Sequence, residues 1–170
     1  MTQSEVMAQL IMPAVLTVVT GALVGSLLMG WIADRISRAA AITVAAGFAA
    51  AIYMAMYFVN DPTAPAVKVL LFLMGVAEIS AFVSSQALCG QQAGPNHRGA
   101  IFGFFGVAGA VGILIGTKGG GIVFDQIGPS APFVIFGALN LVVFAWGLRV
   151  YRSVRVPDWA EAPAVDNTPN

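Results

Sequence analysis

Residues 30–38 read GWIADRISR and end the first apolar stretch of the chain. Before the acidic residue of this motif, residues 6–33 contain no Asp, Glu, Lys or Arg. A helix needs about 20 mostly apolar residues to cross the hydrocarbon core of a bilayer. The stretch is longer than this, and Asp34 and Arg35 follow it directly. This part of the sequence therefore predicts a transmembrane helix that ends at the membrane surface.

The composition extends this prediction to the whole chain. Hydrophobic residues make up 58% of the sequence and charged residues 9%, and the mean hydropathy is +0.85. A soluble domain carries about 25% charged residues, so much of this protein's surface must face lipid. Eight Lys and Arg residues balance eight Asp and Glu residues, which argues against a surface that attracts nucleic acid.

Residue types that carry chemistry are scarce. Cys89 is the only cysteine and His97 the only histidine, which excludes an internal disulfide framework and leaves no set of residues at metal-ligand spacing. We therefore expect no metal site and no bound cofactor. The sequence offers no nucleophile–base pair or carboxylate pair, so we do not expect an enzyme.

Apolar stretches recur along the chain and predict an all-α integral membrane protein with about five transmembrane helices. The stretches are continuous rather than alternating and about twice the length of a membrane strand, which argues against strands. A helical bundle is expected over residues 1–155. A polar, acidic tail over residues 156–170 is expected to be cytoplasmic and disordered. The expected spans are approximately residues 8–31, 39–59, 66–88, 99–122 and 133–150.

The positions of Lys and Arg predict the orientation, because basic residues accumulate on the cytoplasmic side of membrane proteins. If five spans alternate, six arginines fall on one side: Arg35, Arg38, Arg98, Arg149, Arg152 and Arg155. The other side has Lys68 together with the acidic residues Glu5, Asp61 and Asp125. We expect the N-terminus outside and the C-terminus inside, in the plasma or inner membrane. An outside N-terminus without a cleavable signal suggests that a preceding helix is missing.

The GWIADRISR stretch resembles the signature loop of the major facilitator superfamily, which consists of a Gly, three residues, Asp-Arg, one residue, a second Gly and a basic residue. Ser37 stands where that family has the second Gly. The resemblance implies a conformational latch, in which a carboxylate at a helix end meets the positive N-terminus of a neighbouring helix. The alternative is a set of charges that simply ends the span at the interface. The latch residues would be Gly30, Asp34, Arg35 and Arg38.

Residues 98–133 are similar to the eleventh helix of the same family, from the start Arg98-Gly99 to Asp125 and the Gly that follows. The order of elements then places the chain at helices eight to twelve, as part of a half-bundle. Helices two to six of the homologous other half remain an alternative. The resemblance implies that spans one, three and four line the central cavity and that spans two and five face lipid.

Glycines recur every three or four residues along the fourth span and form one flat stripe. Such a stripe lets the backbone of another helix approach closely, so we expect a role in helix packing. The stripe contains Gly99, Gly103, Gly106, Gly109, Gly112 and Gly116.

Glu78 and Lys118 lie within expected spans. A charge at the centre of a bilayer costs at least about 2.5–3.5 kcal/mol, so both are candidate cavity or coupling residues, and they could pair. Glu78 could instead be a structural or neutral, hydrogen-bonded glutamate, and Lys118 could extend toward the outer surface. The serines Ser80, Ser84 and Ser85 could contact a solute or only neighbouring helices.

Two functions from different classes remain open. The resemblance implies a secondary active transporter that moves a small solute by alternating access. Five helices would supply only part of it, so the expected partners are the lipid bilayer, the solute and the missing N-terminal half. The alternative is a small helical membrane subunit or scaffold that transports nothing.

Overall fold

The computed structural model describes residues 7–33, 35–59, 61, 63–93 and 97–153. This part of the chain is all helical, and five of its helices are long and apolar enough to cross a membrane, which confirms the predicted fold class. A π-helical turn, Met7–Ile11, leads into the first helix, and a 3₁₀ turn, Met56–Phe58, follows the second. The tail over residues 156–170 lies outside the described residues. The helices are α1 (Met12–Ala33), α2 (Arg38–Ala55), α3 (Pro65–Gln92), α4 (Arg98–Gln126) and α5 (Ala131–Ser153).

Glycines bring α1 and α3 into backbone contact. A Cβ atom placed on Gly21 would lie 2.0 Å from the carbonyl oxygen of Phe72, and one on Gly75 would lie 2.0 Å from the carbonyl oxygen of Val18. A Cβ on Gly25 would lie 2.8 Å from the Cα of Val76. Small residues permit this close approach of membrane helices. The α1–α3 pair therefore depends on these glycines.

Alanines make α2 the most buried helix of the described structure. Ala41, Ala45 and Ala49 recur every four residues, so they lie on one face, and each is at most 2% exposed. Small side chains on this face let α3 pack closely, with Ala77 fully buried opposite Ala49. α5 packs on another side of α2, where Gly147 lies against Thr43.

The expectation that the second span faces lipid stays a prediction. Val44 and Phe48 do lie on an exposed face of α2, but most of the helix is enclosed between α3 and α5. The reason is the small size of its residues, which general apolarity does not reveal.

α4 packs loosely at the edge of the bundle. None of its residues is buried. Its contacts with the other helices are made by large aromatic side chains, with the rings of Phe82 and Phe105 5.8 Å apart and Phe136 of α5 near Gly116. An apolar helix without a buried face must be covered by lipid or by another protein segment.

Candidate functional site

An open cleft of about 580 Å³ lies where α2, α3, α4 and α5 meet. Three glycines of α4 that share one helix face form its α4 wall, since their spacing of three and four residues brings them into line. Because glycine has no side chain, this face of α4 leaves space between α4 and α3. The lining residues are Tyr53, Glu78, Gly109, Gly112, Ile113, Gly116, Thr117 and Phe136.

Tyr53 and Glu78 form the polar centre of this cleft. Tyr53 is 8% exposed, and its ring packs between Phe133 and Phe136 of α5, with centroid distances of 6.4 and 6.1 Å. The phenol hydroxyl donates a hydrogen bond to Oε1 of Glu78. Glu78 itself is exposed to the cleft. The aromatic packing therefore fixes the tyrosine, and the tyrosine holds one carboxylate oxygen.

The position of the pair suits the binding of a proton or a polar solute group. Glu78 lies about 20 Å along α3 from Pro65, near the middle of the helix at a rise of 1.5 Å per residue. A carboxylate at such a depth needs a partner or a wet cavity, and Tyr53 supplies the partner. The second carboxylate oxygen is left for another ligand, and Thr117 adds a hydroxyl on the opposite wall.

The structure does not bring Lys118 into this cleft. Its neighbour Thr117 lines the cleft, whereas Lys118 is exposed and absent from the lining. The contact partner of Glu78 is Tyr53 instead. Among the described residues, no group of three or more His, Cys, Asp or Glu side chains could hold a metal ion.

Sequence reasoning missed Tyr53, although a depth comparison could have found it. Tyr53 lies about 15 residues after Arg38 at the start of α2, and Glu78 lies about 14 residues before Gln92 at the end of α3. Because the Arg38 side chain reaches the end of α3, both positions are roughly 21–22 Å from the same end of the bundle. For the two side chains to meet, α2 and α3 must also pack next to each other.

The two described arginines of the GWIADRISR stretch make different contacts, and only Arg38 reaches another helix. Nη1 of Arg38 donates a 3.0 Å hydrogen bond to the carbonyl oxygen of Ala87 near the end of α3. The Arg35 guanidinium lies 4.0 Å from the centroid of a Trp31 ring. A Cβ on Gly30 would meet no atom within 4 Å. Asp34 lies outside the described residues, so the latch stays a prediction.

Ser37 has a local role at the position where the resembled motif has Gly. Its side-chain oxygen accepts a hydrogen bond from the backbone N–H of Ala40 and caps the N-terminus of α2. Its φ of −61° is accessible to any residue, so the turn does not require Gly here.

The glycine stripe of α4 lies open in the described structure. A Cβ on Gly99, Gly103, Gly106, Gly109 or Gly112 would meet no atom within 4 Å, and one on Gly116 would lie 3.3 Å from Phe136. The role of this stripe in helix packing stays a prediction. The glycines that do make close contacts, Gly21, Gly25 and Gly75, belong to α1 and α3.

The serines of α3 lie among helices rather than in the cleft. Ser80 and Ser84 are buried, and the Ser84 hydroxyl has no hydrogen-bond partner among the described residues. Ser85 donates to the carbonyl oxygen of Ala81 within its own helix. Their positions give no support to a solute contact in this cleft.

Comparison with known proteins gives a family match and two kinds of relative. The family model described as Major Facilitator Superfamily matches residues 2–168. The magnetosome protein MamH of Paramagnetospirillum magneticum is 29% identical over 134 residues, which cover 78% of this chain and 31% of MamH. The magnetosome protein MamZ of the same organism is 28% identical over 138 residues, covering 74% of this chain and 21% of MamZ.

MamZ of Magnetospirillum gryphiswaldense is similar to the same extent. The chain thus spans about a third of the length of MamH and about a fifth of that of MamZ. No solved structure matches the chain.

Proposed function

Because the chain belongs to the Major Facilitator Superfamily, we propose that it is part of a secondary active transporter that moves a small solute by alternating access. The family and the relatives support a transporter-like role in general. The observation that carries the finer proposal is the Tyr53–Glu78 pair, which puts a carboxylate in an open cleft near the middle of α3. Transporter sites of this kind lie near the bilayer midplane between helical repeats.

In this proposal Glu78 couples transport to proton movement or contacts the solute. A carboxylate that gains and loses a proton can change its partners as the cleft opens to one side or the other. Tyr53 holds the carboxylate in one orientation. Lys118 remains a second candidate for the cavity, on the turn beside Thr117.

The partner of the chain in this proposal is the N-terminal half of the transporter. The open face of α4 supports this, because its glycine stripe offers a flat surface to another helix. The short share of MamH that the chain spans is consistent with it. Asp34 would then act as the latch against that other half, with Gly30, Arg35 and Arg38 around it.

We propose that the arginine-rich end of the bundle is cytoplasmic, with the N-terminus outside. The end that holds Arg35, Arg38 and Arg98 supports this by the distribution of basic residues. The cell membrane is the location we propose. Since the relatives are named magnetosome proteins, the magnetosome membrane is the alternative, and membrane fractionation with an antibody to the chain would distinguish the two.

A transport experiment tests the function. The complete reading frame that contains this chain is expressed in cells, and the accumulation of a defined mixture of small metabolites is measured by mass spectrometry at pH 6 and pH 7.5. The Glu78→Gln variant is compared with Asp125→Asn, which removes an exposed carboxylate outside the cleft. We expect at least one solute to accumulate in a pH-dependent manner that Glu78→Gln abolishes and Asp125→Asn preserves.

Two results would count against the proposal at different levels. Equal accumulation in wild-type cells and in cells without the protein would contradict transport of the solutes offered. Accumulation that is unchanged in Glu78→Gln at both pH values would leave transport standing and overturn the role of Glu78.

One observation favours the second candidate, a subunit or scaffold that transports nothing. α4 has no buried residue, which is also the property of a helix that assembles with a separate protein. Translation of the DNA upstream of Met1 separates the two functions. An open frame with seven further apolar spans supports the transporter, and a true start with no adjacent half supports the subunit.

A further inference from the structure

A second, apolar groove lies between α2 and α5, well away from the Tyr53–Glu78 cleft. Its volume is about 410 Å³, and it is near the end of the bundle where α2 begins and α3 ends. None of its lining residues is ionisable. The lining consists of Ala39, Ile42 and Thr43 of α2, Leu88 of α3, and Val142, Val143, Trp146, Gly147 and Val150 of α5.

A basic patch adjoins this groove along α5. Val142 and Trp146 line both the groove and a neighbouring surface depression that holds Arg149 and Arg152. Residues 142, 146 and 149 are three or four positions apart, so they follow one helix face. Trp146 is 72% exposed, and tryptophan is enriched where a membrane helix meets the headgroup layer. The apolar groove thus leads to the guanidinium groups of Arg149 and Arg152.

The acidic residues that the structure describes lie elsewhere. Glu78 is in the other cleft, and Asp61 and Asp125 are at the opposite end of the bundle. The groove and patch therefore combine an apolar surface with a positive charge at one end. The complementary molecule is amphiphilic, with an apolar chain and an anionic headgroup.

We propose that the groove between α2 and α5, together with Arg149 and Arg152, binds an anionic phospholipid. One acyl chain lies in the groove, beside Val143 and Trp146, and the phosphate lies between the two guanidinium groups. Arginine donates several fixed hydrogen bonds to phosphate, and basic pockets between membrane helices bind anionic headgroups. This proposal does not depend on the transport function.

Fluorescence quenching by brominated lipid tests the site, since Trp146 would lie against the acyl chain of the bound lipid. Trp31 and Trp159 are replaced by Phe, so that Trp146 is the remaining tryptophan and can be excited selectively over the tyrosines. The protein is reconstituted into phosphatidylcholine vesicles that contain increasing mole fractions of dibrominated phosphatidylglycerol or dibrominated phosphatidylcholine. We expect half-maximal quenching at a mole fraction at least about fivefold lower for phosphatidylglycerol, since one basic residue near the surface contributes roughly that factor.

Matched variants separate a specific site from general attraction of anionic lipid. Arg149→Gln with Arg152→Gln should remove the preference. Arg35→Gln with Arg98→Gln makes the same change of charge at the same end of the bundle and should preserve it. Val143→Phe fills the groove and should weaken quenching by phosphatidylglycerol, whereas Val107→Phe, on exposed α4, should not.

Equal quenching by the two lipids would overturn the proposal. An equal loss of preference in the two arginine pairs would also overturn it, because it would indicate only general surface charge. Circular dichroism of each variant, showing wild-type helix content, establishes that the comparison is made between folded proteins.

Discussion

The phenol hydroxyl of Tyr53 on α2 donates a hydrogen bond to the carboxylate of Glu78 on α3, in the middle of the bundle. The tyrosine ring is packed against two phenylalanines of α5. The hydrogen bond and the ring contacts of Tyr53 together connect α2, α3 and α5 at the cleft.

This relationship predicts that Tyr53 and Glu78 stabilise the fold jointly. Tyr53→Phe keeps the ring and removes the hydroxyl, so we expect the free energy of unfolding to fall by about 1 kcal/mol, in the range of hydrogen bonds between membrane helices. The measurement is unfolding in detergent micelles, followed by circular dichroism. Tyr57→Phe, at an exposed position, is the control and should have no effect.

A double-mutant cycle with Glu78→Ala tests whether the two residues act together. We expect a coupling free energy of about 1 kcal/mol between Tyr53→Phe and Glu78→Ala. Effects that simply add would show that the hydrogen bond contributes nothing to stability.

The glycines of the α1–α3 contact predict a strong effect of a single methyl group. Gly21→Ala or Gly75→Ala would place Cβ 2.0 Å from a backbone carbonyl oxygen, and helix backbones cannot shift locally as a side chain can. We expect each variant to lose at least about 2 kcal/mol of the free energy of unfolding, as in overpacked cores.

Gly106→Ala is the matched control for this prediction. A Cβ at Gly106 would meet no atom within 4 Å, and Ala is favoured over Gly in a helix by about 0.5–1 kcal/mol. We expect Gly106→Ala to be neutral or slightly stabilising in the same assay on this chain alone, where no described residue covers the stripe at Gly106. A loss in Gly106→Ala as large as in Gly21→Ala would contradict the assignment of the close contact to α1 and α3.

The cap at Ser37 predicts the effect of changes at the start of α2. Ser37→Ala removes the acceptor for the N–H of Ala40 and should lower the free energy of unfolding by about 1 kcal/mol. Ser37→Asp restores an acceptor and should recover most of this loss. If Ser37→Ala and Ser37→Asp were equally stable, the cap would have no energetic role.

The loop between α2 and α3 predicts a shift in an acid–base equilibrium. Oδ1 of Asp61 accepts hydrogen bonds from the hydroxyl and the backbone N–H of Thr63, at 2.7 and 2.8 Å. The hydroxyl bond first, and the backbone bond second, hold the pKa of Asp61 below its ordinary value. Thr63→Ala should therefore raise the pKa of Asp61, but not to its ordinary value, because the backbone hydrogen bond remains.

Carbon-13 NMR titration of the Asp61 carboxyl group measures this effect in micelles. Thr63→Ser keeps the hydroxyl and should keep the low pKa. Because the folded-state pKa is lowered, the contribution to stability is present above the ordinary pKa of Asp and is lost as the pH falls through the folded value. Equal Asp61 pKa values in wild type, Thr63→Ser and Thr63→Ala would contradict the role of the hydroxyl.

The five helices could be predicted from the sequence because length and apolarity alone decide membrane spans. Their arrangement could not. In a helix that is apolar on all sides, no amphipathic pattern indicates which face is buried, and only the family resemblance suggested a lipid-facing side for α2. The alanines at positions 41, 45 and 49 were the available sign of close packing.

Glycine patterns were informative about flat surfaces but not about what covers them. The stripe from Gly99 to Gly116 is the longest pattern, yet it is open, whereas Gly21 and Gly75 make the closest contacts. A glycine creates space for a neighbour, and only the three-dimensional arrangement determines whether one is present. Glu78 was identified from its charge, but Tyr53 was not, because an unpaired hydroxyl in an apolar span costs less free energy than a charge and is a weaker signal.

The crossing of α1 and α3 at Gly21 and Gly75 has a consequence for how this helix pair forms. The atoms in contact belong to the main chain, which is already ordered in each helix before the two meet. A long side chain would lose rotamer entropy worth up to about 2 kcal/mol on association, and here there is little of it to lose. The α1–α3 pair can therefore associate with little loss of side-chain entropy, whereas the aromatic side chains that contact α4 must be ordered when that helix packs.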